Sequence, residues 1–147
     1  MKYQVISILT CFILFLGCNS KKDSDNKSEK TFGVSLLNFS PEEEVALTNK
    51  LENKSFQFNN GEISQQKGDQ TGHKFYINKK ESDFNTIIKV KKIREVQDSL
   101  KVNIIFFERD GNSLKQYFNP GNFNIKTNTL EDKADQLQQL IVKLTFK

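Results

Sequence analysis

The chain of 147 residues holds one histidine, two cysteines, two prolines and no tryptophan. Each scarcity removes a class of chemistry. His73 alone cannot build a multi-histidine metal site or supply a second imidazole to a catalytic triad. Cys11 and Cys18 are too few for a disulfide framework or a cysteine-rich zinc site. No Gly-rich phosphate loop, His-Glu-x-x-His or Gly-x-Ser-x-Gly pattern occurs. Charge is equally undirected. Lys and Arg number 22 against 18 Asp and Glu, and the two signs are mixed along the chain without a long block of either. Beyond the first residues no apolar run approaches transmembrane length.

What is present begins at the N-terminus. Lys2 gives a positive start, Val5 to Leu16 is an uncharged apolar run, and Gly17 stands directly before Cys18. The run is too short to span a bilayer and has the layout of a secretory signal. With cysteine at the cleavage point, Phe15-Leu16-Gly17-Cys18 resembles the lipobox of bacterial lipoproteins, with Phe15 where leucine is usual. The resemblance implies cleavage between Gly17 and Cys18 and a thioether diacylglycerol on Cys18, usually with an amide-linked third chain. Each buried methylene contributes about 0.8 kcal/mol, so two or three acyl chains hold a protein on a membrane where one does not. Loss of residues 1–17 discards Cys11 and leaves Cys18 as the one cysteine. The resemblance also implies outer-membrane sorting, because Asn19 is not the aspartate that commonly signals inner-membrane retention. Lys22-Asp23-Ser24-Asp25 loosely resembles the export signal of surface lipoproteins, so the protein is expected to face the periplasm or the cell surface.

Residues 18–30 contain no apolar side chain after Cys18 and read as a disordered tether. Residues 31–147 read as a single β-rich domain. Phe32 to Phe39 is a short extended segment. Ser40-Pro41-Glu42-Glu43 is a helix start, with Ser40 as cap, Pro41 at the first position and Glu43 completing a capping box. The helix runs to about Asn53. Period-two patterning follows: Phe56 and Phe58, a turn at Asn60-Gly61, a loop over Gln65 to Gly72, and a strand from Lys74 to Asn78. Thr86 to Val96 and Leu100 to Glu108 form the clearest hairpin. The second of these, apolar on both faces around Ile105 and Phe107, is expected to be the core strand. Asn119-Pro120-Gly121-Asn122 reads as a type II turn between two further strands. From Thr129 onward helical and strand periods both fit, and a helical turn over 130–136 followed by a strand to Phe146 is expected. The fold predicted is mainly β: an antiparallel β-sandwich or curved sheet with one N-terminal helix, or alternatively a cystatin-like helix followed by a β-meander.

Candidate sites are few. The Glu42–Glu44 triplet is accounted for by helix capping and the helix dipole. Asp110-Gly111-Asn112 lacks the alternating acidic ligands of a calcium loop. Glu108, Asp110, Asp83 and Asp98 could be paired in imagination, but no spacing singles out two of them. His73, at a loop-to-strand junction, reads as a solvated residue. The densest basic run is Lys89, Lys91, Lys92 and Arg94. It reads as the wet face of a strand, and its functional reading is a surface for an anionic glycan or lipopolysaccharide. Nucleic acid is not an expected partner of an exported protein. No catalytic residue, metal site or cofactor is expected. The expectation is a lipid-anchored binding or accessory module for an envelope protein complex or glycan. An anchored inhibitor or immunity-type protein, inserting the Gln65–Gly72 loop into an enzyme, is the alternative.

Overall fold

The computed structural model describes residues 29–68 and 71–147. Gly17, Cys18 and the tether as far as residue 28 lie outside the described residues. The protein is mainly β. Its strands are β1 (Lys30–Leu37), β2 (Lys54–Asn59), β3 (Glu62–Lys67), β4 (His73–Ile77), β5 (Thr86–Val96), β6 (Ser99–Asp110) and β7 (Ser113–Lys126). They form one sheet in the order β3-β2-β4-β1-β5-β6-β7. Two helices, α1 (Pro41–Leu51) and α2 (Leu130–Thr145), accompany it, with a short 3-10 turn at Glu81–Asp83.

Local chemistry sets most of these boundaries. Ser40 accepts a hydrogen bond from the Glu43 amide while the Glu43 carboxylate accepts one from the Ser40 amide, so α1 starts with a complete capping box. Asn60 and Gly61 both have positive φ, at 52° and 83°, as a two-residue turn between β2 and β3 requires. Thr129 caps α2 by accepting from the Asp132 amide.

One face of the sheet is covered. Phe32, Val34, Phe75, Ile88 and Val90 pack with Leu100, Val102, Ile104 and Phe106, and the helices bring Leu47, Leu51, Leu137 and Ile141 onto them. Most of these side chains are fully out of water. Burying one such side chain contributes roughly 1.5–3 kcal/mol, so this face carries the stability of the fold. The reverse face is dressed unevenly. Near the start of β5, Phe84 and Ile87 lie against Gly33, where a Cβ would come within 2.7 Å of the Phe84 ring and 2.9 Å of Ile87. Glycine is what lets Phe84 close over β1. Arg109 then ties the segment down, donating to the carbonyls of Phe84 (3.0 Å) and Glu81 (2.6 Å).

Several expectations differ from the structure. The sheet is mixed, because β1 pairs in parallel with both β4 and β5. Hydrophobic alternation carries no strand direction, and the long passage through α1 and the β2–β3 hairpin supplies the crossover that a parallel neighbour needs. It is a single sheet under two helices rather than a sandwich, since residues expected to end in a strand form the sixteen-residue helix α2. Ala134, Leu137, Ile141 and Leu144 are buried at helical spacing, while Leu140 and Phe146, which completed the alternating pattern, are only partly covered. A strand before α1 and a helix at the C-terminus also distinguish the fold from the helix-then-meander alternative. Finally, Pro120 and Gly121 interrupt nothing: β7 runs continuously through them, with an irregular register opposite Ile104 and Phe106. An edge strand tolerates proline because no neighbour needs its amide, and Gly121 takes the positive φ (89°) of the irregularity. The core strand is also displaced: β6 does supply four fully buried side chains, but the centre of the sheet is β1.

Candidate functional site

The four residues of the basic run do not share a surface. Side chains alternate along β5, so Ile88, Val90 and Lys92 point to the helix-covered side while Lys89 and Lys91 point to the reverse face. A bulge between Lys92 and Arg94 resets the alternation, and Arg94 then pairs with Lys101 on β6. Lys92 is thereby taken out of the exposed set.

Lys92 goes into an ion network that joins three elements. Its Nζ donates to both carboxylate oxygens of Glu43, at 2.9 and 2.8 Å, and lies 3.2 Å from Glu95. Lys133 of α2 contacts the same two carboxylates. Burial of Glu43 favours its neutral form, but hydrogen bonds from Lys133, Lys92 and the Ser40 amide outweigh that and hold its pKa at about 2. The same contacts, Lys133 first, lower the Glu95 carboxyl. All four charges are matched within the network. The arrangement pins the N-terminal turn of α1 and the first turns of α2 to the end of β5, and so reads as a structural clamp.

His73 is half-buried rather than freely solvated. Its ring stacks on Phe146 at 4.4 Å between centroids and lies 5.2 Å from Phe32, beneath the end of α2. Burial, with the charge of Lys30, lowers its pKa to about 4. It is a neutral aromatic packing element at neutral pH. Of the carboxylates considered from sequence, Glu43 is ion-paired in the clamp and Asp110 pairs with Lys115. Glu81, which was not among them, accepts from the Ser35 hydroxyl at 3.1 Å with Lys89 3.6 Å away. Among the described residues no group of three His, Cys, Asp or Glu side chains is placed to hold a metal ion. Of the loop expected over Gln65 to Gly72, Gln65 to Lys67 belong to β3, and residues 69 and 70 lie outside the described residues.

The surface that remains is the reverse face of β5, β6 and β7 towards the β5–β6 turn. Cross-strand register places its residues in rows. Lys91 lies opposite Asn103, which lies opposite Asn122; Arg94 lies opposite Lys101, which lies opposite Asn124; and Ser99 lies opposite Lys126. Asn103 donates to the Asn122 side-chain oxygen at 3.0 Å. Lys91, Arg94, Asn122, Asn124 and Lys126 are exposed, and Lys101 and Asn103 half-exposed. Further along, Lys89 lies over the Phe107 ring at 5.1 Å. A shallow groove lined by Ile93, Arg94, Val96, Lys101 and Asn124 opens on this end of the sheet.

The basic-run reading thus found two of the exposed cations of this face in Lys91 and Arg94, and missed Lys101 and Lys126. Their signal was present. Lys101 and Asn103 alternate with Leu100, Val102 and Ile104, and Asn122, Asn124 and Lys126 alternate with Phe123 and Ile125. The pattern puts each set on a wet face; only the pairing of the strands makes those faces one.

Known protein families and curated proteins provide no match to the chain.

Proposed function

We propose that this chain is an outer-membrane lipoprotein, anchored through Cys18, whose β-rich domain is a binding or accessory module for an envelope protein complex or glycan. The observation that supports this reading is the division of the sheet into two unlike faces. One is packed under α1 and α2; the other, over β5–β7 towards the β5–β6 turn, is polar and exposed, with its cations set in register. A sheet face that no other element among the described residues covers is suited to recognition over an extended area, and less to the enclosed, convergent geometry that catalysis uses.

Two measurements test it. A Cys18→Ser variant is expected to lose acylation and leave the membrane fraction; a variant that stays membrane-bound overturns the lipid anchor. Cross-linking in intact cells and recovery of the anchored protein is expected to yield an envelope assembly or glycan. Recovery of a single enzyme with its active site blocked would replace the module reading with that of an inhibitor.

A further inference from the structure

We propose that the reverse face of β5–β7 binds a linear anionic polysaccharide, laid diagonally across the three strands; the inference deepens the module reading and rests on it. The register supplies the geometry. Lys91 on β5, Lys101 on β6 and Lys126 on β7 each step one strand across and one row along. Strands lie about 4.8 Å apart and rows about 6.8 Å apart, so the three cations form a line with a step of roughly 8 Å. A line of separated charges suits a polymer with repeating carboxylate, sulfate or phosphate groups. A single phosphate headgroup would be held by converging donors instead.

The charge on this face is uncompensated. None of Lys91, Arg94, Lys101 and Lys126 has a carboxylate within ion-pair distance among the described residues. Glu95 faces Lys92 and Lys133 in the clamp, Asp110 faces Lys115 at the far end, Glu108 lies opposite Thr86 and Lys115 at that same end, and Asp98 in the β5–β6 turn forms no ion pair with any of these four cations. Between the cations stand Asn103, Asn122 and Asn124, whose amides donate and accept and so match sugar hydroxyls. Exposed Leu37 and Val96 flank the line and offer aliphatic contact to the C–H faces of sugar rings. The amides between the cations favour a hydroxyl-rich polyanion over a lipid surface, which would ask for apolar side chains along the line itself.

The test uses the full-length acylated protein in detergent, with polygalacturonate and heparin as polyanionic probes and dextran as the neutral one. Binding to at least one polyanion, weakening steeply with salt, and none to dextran is expected. The combined Lys91→Gln, Lys101→Gln, Lys126→Gln variant should lose tenfold or more in affinity. Lys67→Gln, Lys80→Gln, Lys143→Gln, which removes the same charge elsewhere, should lose less than threefold. Asn124→Ala should weaken polygalacturonate binding while leaving any binding to poly-glutamate unchanged. Equal losses in the two lysine triples, or binding only to poly-glutamate or to phosphatidylglycerol vesicles, would overturn the proposal. In that event the module reading would still stand or fall on Cys18 and on what is cross-linked in cells.

Discussion

Lys91 and Lys92 are neighbours in the chain and belong to different worlds. Lys92 is folded into a network with Glu43, Glu95 and Lys133 that clamps two helices to the sheet, and its charge is spent inside the protein. Lys91 projects from the reverse face beside other unmatched cations and amides. The same contrast holds across the sheet: the helix side accounts for its side chains by packing and pairing, and the reverse side of β5–β7 leaves Lys91, Arg94, Lys101 and Lys126 without ion-pair partners among the described residues. A charged side chain that stability does not use is where a ligand can act. Similar residues can therefore be sorted by what already satisfies them.

The contrast is broken or sharpened by substitution on each side. The largest effect is expected in the core: Leu51→Ala, or Ile141→Ala at the α2 interface, should cost about 2–5 kcal/mol in urea unfolding, because both side chains are fully buried. Next comes the clamp. Glu43→Gln leaves Lys92 and Lys133 to share Glu95 alone and should cost about 1–3 kcal/mol. Gly33→Ala should cost about 1–3 kcal/mol by forcing Phe84 and Ile87 off the sheet. Lys91→Gln, at the other extreme, should change stability by less than about 0.5 kcal/mol. A cost for Lys91→Gln comparable to that for Glu43→Gln would erase the distinction between the faces.

Acid separates two further contributions. His73 has its pKa lowered from 6.5 to about 4 in the folded state, so its contribution is intact above 6.5 and is lost as pH falls towards 4. Glu43 is lowered from 4.5 to about 2, so the clamp's contribution is intact above 4.5 and is lost as pH falls towards 2. Thermal unfolding followed against pH should thus fall in two overlapping windows. His73→Phe should remove the upper one and Glu43→Gln the lower.

Much of the fold was legible in the residues. The cap at Ser40, the turn at Asn60-Gly61 and the hairpin around Gln97 are set by short-range chemistry, and each lies where the sequence places it. Long-range facts were not. Strand direction leaves no trace in alternation, so the parallel pairing of β1 was hidden. Leu140 to Phe146 satisfied both periods, and the helix won because Leu137, Ile141 and Leu144 had a sheet face to cover. The bulge after Lys92 moved Lys92 and Arg94 to opposite roles, and no local signal marks a bulge in Lys-Lys-Ile-Arg. The face on β5–β7 was present as separate wet stripes whose union depends on register.

Lysine labelling tests most directly the proposed role of this face as the binding surface. Acetylation of accessible lysines in intact cells, read by mass spectrometry against the purified protein, should show Lys91, Lys101 and Lys126 protected in cells and Lys67 and Lys143 labelled alike in both. Equal labelling of all five, or protection confined to Lys67 and Lys143, would contradict the account.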